Sequence, residues 1–352
     1  MEQPGFTPSS LLVQWPVDVT DVKAVGDVYS VAGVGRRYVL KPINKGMRRA
    51  RFICSLTEYL GRGADPLTPG LIRTRVGKLL TTESRRRHWI LCEWIPGRTC
   101  DWADLGDAAR CAAALARFHT QARDYCHLPH ERPQAYWDRW PTRLLRRYEA
   151  LRGFCAAAER AVQAGGAPYF DRMVAAQSAR QLARAQDAMR VLAASPYRSL
   201  CAEYRRRGQV IHGDPAGRNF VATENGMVRI IDLESIRQDL PALDIAKLLR
   251  RVLKSHGWRT DVAMAVLSAY ADAGGLDPSM LPVVYAFIAY PMKFSYDVRR
   301  YYTCAEGWAY RRHLRKLIKH LWGEKGKQRF LDWFGRDFAR APYAEADHAG
   351  GC

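Results

Sequence analysis

Apolar and polar positions follow a strand-like pattern over residues 12–40. Val25-Gly26-Asp27-Val28-Tyr29-Ser30-Val31 and Arg37-Tyr38-Val39-Leu40-Lys41 read as strands with a glycine turn between them, inside an antiparallel meander over 12–40 punctuated by Gly26, Gly33 and Gly35. The period then lengthens. Phe52, Ile53, Leu56, Tyr59 and Leu60 share one face of a helix over 47–60 that Gly61 ends, and Glu58 falls nearly opposite that face, a solvated position. Val76 to Thr82 and His88 to Ile95 predict a second hairpin, tipped by a solvated Glu83-Ser84-Arg85-Arg86-Arg87 loop. Beyond Pro96-Gly97 the pattern is helical: an Ala-rich helix over 107–119, then a long stretch over 134–207 broken by Gly165-Gly166-Ala167-Pro168. Leu182, Ala185, Met189 and Leu192 recur in it at the spacing of a packed helix pair. Further helices follow over 241–335, and residues 341–352 read as a disordered tail.

One hairpin interrupts the helices. Phe220-Val221-Ala222-Thr223 and Met227-Val228-Arg229-Ile230-Ile231 flank Asn225-Gly226, a pair suited to the positive φ values of a two-residue turn. With those two as the turn, Asn219 opposes Asp232 at the open end. Asp214 stands just upstream in His212-Gly213-Asp214-Pro215-Ala216-Gly217-Arg218-Asn219, close enough to join them. Any one of the three is an ordinary loop residue. As an ordered set they suit a hard divalent cation such as Mg²⁺, which takes few protein ligands and completes its shell with water and phosphate oxygens. Protein kinases put an Asn and an Asp on the metal and a further Asp beside the attacking hydroxyl.

These segments, with Ile230-Ile231-Asp232-Leu233-Glu234-Ser235 and Asp239-Leu240-Pro241 leading into Asp244, resemble the kinase-like phosphotransferases of the aminoglycoside and choline kinase superfamily, and within it the CotS family of bacterial spore-coat kinases. The resemblance spans roughly residues 20–335 and is specific in the middle. It implies an α+β, bilobal protein-kinase-like fold: a small antiparallel-sheet N-lobe over 1–95 and a large helical C-lobe over 96–340. It also implies an ATP- and Mg²⁺-dependent transfer of the γ-phosphoryl to a hydroxyl acceptor. Asp214 would serve the acceptor hydroxyl. Asn219 and Asp232 would hold the metal against the phosphates, with Glu234 touching a metal directly or through water. Lys41 would steady the α- and β-phosphates, and Glu93 and Ile95 would flank the adenine. His212, Asp244 and His119 take supporting roles.

Several positions depart from the pattern. No G-x-G-x-x-G precedes Lys41. Asp-x-Glu stands where protein kinases have Asp-Phe-Gly. Ala216 removes a basic residue common in relatives, and Gly217-Arg218 replaces a common Pro-Gly. Arg218 either compensates for that loss or faces solvent. Glu58 points the wrong way to pair with Lys41 and is left out of the site. Two other readings stay open: a small-molecule kinase of the aminoglycoside, choline or sugar type unrelated to spores, and a kinase-fold coat scaffold with little turnover.

Composition narrows the setting. The excess of 55 basic over 35 acidic residues gives a net charge of +20, a field that favours anionic partners and opposes long-range capture of polycations. ATP and anionic surfaces fit it, and the resemblance adds spore-coat proteins as partners. Nucleic acid ranks last, because the basic and aromatic stretch Tyr296 to Trp322 reads as a packed helix with a charged outer face. The nine cysteines show no C-x-x-C spacing, which argues against structural zinc and a disulfide framework. The longest apolar run, of about 14 residues near Leu281 to Phe294, is short of a membrane span. The first ten residues lack the pattern of a signal peptide, so the expected location is cytoplasmic. The spore-coat resemblance adds the mother-cell cytoplasm and the coat.

Overall fold

The computed structural model describes residues 8–63, 65–123, 125–303 and 310–340. The disordered tail expected over 341–352 lies outside them, as does Trp308. In chain order the elements are α1 (Pro8–Leu12), β1 (Val19–Val25), β2 (Val28–Gly33), β3 (Arg36–Ile43), α2 (Met47–Leu60), β4 (Leu71–Ile72), β5 (Thr81–Ser84), β6 (Arg87–Glu93), β7 (Arg98–Thr99), α3 (Leu105–Gln121), α4 (Trp140–Gln163), α5 (Tyr169–Ala194), α6 (Tyr197–Arg206), β8 (Val210–Ile211), β9 (Phe220–Ala222), β10 (Val228–Ile230), β11 (Arg237–Gln238), α7 (Ala242–Ser255), α8 (Thr260–Gly274), α9 (Leu281–Ala289), α10 (Met292–Thr303), α11 (Tyr310–Leu321) and α12 (Glu324–Phe334). This is the α+β arrangement expected: an N-terminal antiparallel sheet, then a largely helical remainder. The chain forms two compact units. One holds the residues up to Ala135 with Tyr204–Pro241 and Ser268–Gly275. The other holds Tyr136–Glu203, Ala242–Leu267 and the residues from Leu276 onward.

In the first unit the main sheet runs β1-β2-β3-β6-β4, with β5 also on β6 and every pair antiparallel. β6 is central, and its five inner residues, His88 to Cys92, are all buried. A strand covered on both faces reads as an unbroken apolar run rather than an alternation. Leu11, Leu12 and Trp15 pack on one side with Val31, Leu40, Trp89 and Leu91. The Trp15 indole Nε1 donates to the Ile72 carbonyl at 2.9 Å, so its polar atom is satisfied inside the core. α2 buries Phe52, Ile53, Leu56 and Leu60 of the predicted face and Ala50 besides, whereas Tyr59 is exposed.

Two predicted strands shift. Gly26, with φ +60°, forms a tight turn with Asp27, so Val25 ends β1 and pairs with Val28 at the start of β2. Reading Val25 to Val31 as one strand ran through a turn that the left-handed glycine makes. In the second hairpin the incoming strand is only Thr81–Ser84, Ser84 pairs with Arg87, and Arg85-Arg86 alone form the tip.

In the second unit α4 and α5 pack together, separated by 164–168 as the glycine-proline break predicted. Leu151, Cys155 and Ala158 of α4 meet Phe170 and Val174 of α5, Phe294 and Val298 of α10 and Leu317 of α11. Every residue of α9 is buried, which accounts for the long apolar run. Tyr301 stacks on Phe170 with ring centroids 3.8 Å apart, and Tyr302 on Phe154 at 5.2 Å. Tyr301 and Tyr302 therefore serve the core, while Tyr296, Tyr310 and Trp322 are exposed and Arg311, Arg312 and Arg315 face outward. Among the described residues no helix is long and apolar enough to cross a membrane.

Candidate active site

The site lies wholly within the first unit and rests on two small sheets. β8 pairs with β11, and β9 pairs with β10 and β7. Between β8 and β9 runs His212 to Asn219, closed by a 3-10 turn over Gly217–Asn219. Two glycines let this loop sit against its neighbours. Gly213 has φ +82°, and a Cβ there would lie 2.3 Å from the Ser235 carbonyl oxygen; a Cβ on Gly217 would lie 2.5 Å from that of Cys100. Gly213→Ala is expected to cost roughly 3 kcal/mol or more, because left-handed strain adds to a backbone clash that no rotamer relieves. Denaturant unfolding checks this, and an unchanged midpoint would contradict it.

His212 is buried and fixes the loop from below. The Asp214 N–H donates to its Nδ1 at 3.1 Å, and Nε2 faces the Ile231 carbonyl at 3.3 Å. An accepting Nδ1 puts the proton on Nε2, so the ring is the neutral tautomer. The Asn219 amide Nδ2 donates to the Asp214 carbonyl at 2.9 Å and lies 3.5 Å from Asp214 Oδ2. That bond sets the amide orientation and makes Asn219 Oδ1 the atom that could hold a cation. Arg218 Nη2 donates to Asp214 Oδ2 at 2.9 Å. Asp214 and Asn219 are thus brought together as expected.

The register of the β9–β10 hairpin differs from the expectation by one residue. Ala222 pairs with Val228 and Phe220 with Ile230. The turn is a three-residue loop: Thr223 N–H donates to Met227 O at 2.9 Å, Gly226 N–H to Thr223 O at 2.9 Å, and Gly226 takes φ +79°. Thr223 Oγ1 and Met227 N–H both bond the Asn225 side-chain oxygen, which pulls Glu224 into the loop. Asn219 therefore faces Ile231, whose N–H donates to its carbonyl at 2.9 Å, and Asp232 lies one residue beyond. A one-residue slip sends side chains to the other face of a strand. Here Asp232 leaves the strand altogether, with φ +63° and ψ +57°. Left-handed backbone is uncommon outside glycine but accessible to Asp, and it re-aims the carboxylate.

The re-aimed carboxylate meets Lys41. Lys41 Nζ lies 2.5 Å from Asp232 Oδ1 and 3.3 Å from Glu234 Oε1. Burial opposes the ammonium charge, but Asp232 and then Glu234 outweigh it and hold the Lys41 pKa above the usual lysine value. Glu58, expected to be solvated, is instead half-buried in ion pairs with Arg73 at 2.6 Å and Arg62 at 3.0 Å. Helix periodicity placed it off the apolar face but carried no word of Arg73, which lies in the loop just past β4. Arg49 is a residue the sequence reading missed. Its Nη2 donates to the carbonyls of Ile236 at 2.9 Å and Glu234 at 3.3 Å, tying α2 to the turn that carries the second carboxylate. Nothing distinguishes it in sequence from the other arginines of α2.

Lys41, Asn219, Asp232 and Glu234 line one cleft of about 940 Å³. Glu93 and Ile95 line it too, at and just past the end of β6; the Glu93 N–H is taken by Gly70 O at 2.9 Å. The donor set is two carboxylates and one amide oxygen. Among the described residues no three His, Cys, Asp or Glu side chains form a metal cage. Such a set suits Mg²⁺, which needs one or two carboxylates with phosphates and water for the rest, better than zinc or a full calcium cage. Asp244 is buried on α7, in the second unit.

A family model described as the phosphotransferase enzyme family matches residues 23–287, a span that includes every residue of this cleft. The chain belongs to that family. It is 23% identical over 300 residues to spore coat protein S of Bacillus subtilis, covering 84% of this chain and 82% of that protein. Its fold is that of an aminoglycoside phosphotransferase from Alicyclobacillus acidocaldarius, with a TM-score of 0.83 at 19% identity, over 96% of this chain and 98% of the other. It is also similar to an amicoumacin kinase solved with AMP-PNP, Ca²⁺ and Ami, with a TM-score of 0.59 at 15% identity, over 91% and 92% of the two chains.

Proposed function

We propose that this chain is an ATP- and Mg²⁺-dependent phosphotransferase of the spore-coat-associated type, moving the γ-phosphoryl of ATP to a hydroxyl acceptor. The observation that carries the reading is the convergence of Lys41, Asn219, Asp232 and Glu234 on one cleft, from elements far apart in sequence. Family membership and the nucleotide analogue held by the amicoumacin kinase support it. The likeness to spore coat protein S supports the coat association.

In this reading Asn219, Asp232 and Glu234 would hold Mg²⁺, which would supply positive charge against the phosphates. Lys41 exchanges its carboxylate partners for α- and β-phosphate oxygens, and Glu93 and Ile95 border the adenine. Asp214 orients the acceptor hydroxyl and takes its proton as the new oxygen–phosphorus bond forms. The bond from the γ-phosphorus to the β–γ bridging oxygen breaks, and ADP leaves with that electron pair. Positioning and fixed charge do most of such work.

Asp214→Asn tests the assignment. The wild-type chain is expected to be stabilised against heat by Mg-ATP and to consume it. The variant keeps the stabilisation and loses turnover by roughly 100- to 10,000-fold, the range for a positioned general base. Equal and negligible turnover in both would favour a kinase-fold coat scaffold.

A further inference from the structure

We propose that Arg218 is a catalytic residue of this site: its guanidinium shuttles between the Asp214 carboxylate and the phosphoryl group in transfer. The inference rests on the phosphotransferase reading above. It starts from a deficit of charge. In the loop from His212 to Asn219 the imidazole is held neutral by its two bonds, and Ala216 is a buried methyl. Arg218 is the one residue there with a permanent positive charge. The transferred group spreads negative charge over its equatorial oxygens, and a donor fixed near that charge is the usual means of lowering the barrier.

The geometry places Arg218 for that task. It lines the same cleft as Lys41, Asn219 and Asp232. Its Nη2 touches Asp214 Oδ2, the oxygen that also lies near the Asn219 amide. One guanidinium therefore borders both the proposed proton acceptor and the phosphate side of the cleft. Its side chain is 70% exposed, so solvent screens the contact with Asp214 and turning toward a phosphate forfeits little. The backbone beneath it does not follow. Gly217 is pressed against the Cys100 carbonyl, and the Asn219 N–H is bonded to Ala216 O at 2.8 Å. A planar fork of five donors on a fixed turn can keep one nitrogen on the carboxylate and present others to phosphoryl oxygens. Lys41, already between two carboxylates, serves the other end of the phosphate chain. Arg218 exchanges no proton and stays cationic throughout.

A transition-state mimic separates this role from nucleotide binding and from folding. Mg-ADP is expected to raise the melting temperature of the wild-type chain, and adding aluminium fluoride, which sits as a planar phosphoryl in flight, raises it further. Arg218→Gln keeps the Mg-ADP rise and loses the added one, and Arg218→Lys retains part of it. ATP consumption by Arg218→Gln falls about 100- to 1,000-fold. A full aluminium fluoride increment in Arg218→Gln overturns the inference, as does a wild-type chain that binds Mg-ADP with no increment. A wild-type chain that Mg-ADP does not stabilise overturns the phosphotransferase reading itself.

Discussion

Asp232→Asn is expected to reduce Mg-ATP turnover by about 100- to 1,000-fold, the loss seen when one preorganised charge is removed from an active site, while leaving the chain folded. The substitution is nearly isosteric. Asn tolerates left-handed backbone as readily as Asp, so the φ of +63° that aims this side chain is kept. What goes is a formal charge. Asp232 is one of two carboxylates proposed for the metal, and also the nearer of the two carboxylates around Lys41. Removing it leaves Glu234 as the lone carboxylate beside both cations. Turnover and the melting temperature of the nucleotide-free chain, measured together, check the argument. Turnover within a few-fold of wild type would place the metal elsewhere.

The second large effect is on stability and belongs to the second unit. Lys327 is 5% exposed on α12, with its ammonium 5.8 Å from the centre of the Trp258 ring. Burial lowers its pKa from 10.5 to about 7; Arg184 and Arg250 push the same way, and Glu324 pushes back while bound to Arg184 at 2.5 Å. Unfolding restores the ordinary value, so between about pH 7 and 10.5 the unfolded chain binds more protons than the folded one, and stability rises with pH across that window. Below it the lysine is charged in both states and the full penalty applies, on the order of 3–5 kcal/mol. Lys327→Met keeps the buried chain length and removes the charge. It is expected to raise the melting temperature at pH 7 by several degrees and to flatten the rise toward pH 10. Calorimetry at two pH values on either side of the window is sufficient. A variant less stable than wild type at pH 7 would mean that Glu324 and Trp258 more than offset the burial.

What the sequence made legible was periodic or local. The face of α2, the break between α4 and α5, and the hairpin after Asn219 are all repeats of 3.6 or 2, or short turn signals. The register error in that hairpin came where a side chain competed with the backbone pattern. Asn-Gly is a strong two-residue turn signal, yet Asn225 spends its side-chain oxygen on Thr223 and Met227, and the loop grows by one. That bonding carries a local signature in the sequence, a Thr two residues before the Asn of Asn-Gly. The partners of Lys41 and Glu58 were a different matter. Asp232 is 191 positions from Lys41, and Arg73 reaches Glu58 from outside its helix. Periodicity gives a residue's face and is silent on what that face meets. Arg218 lay between: its spacing from Asp214 was visible, but whether it turned to the carboxylate or to water depended on the 3-10 turn that follows Ala216.

The proposed site is a metal–nucleotide site, and its most direct test is the dependence of nucleotide binding on the metal. Binding of AMP-PNP to the wild-type chain and to Asp232→Asn would be measured by calorimetry with Mg²⁺ and with a chelator. Wild type is expected to bind at least ~10-fold more tightly with Mg²⁺, about 1.4 kcal/mol, and Asp232→Asn to lose that difference. Binding of equal strength with and without Mg²⁺ in the wild-type chain, or none at all, would contradict the site as built here.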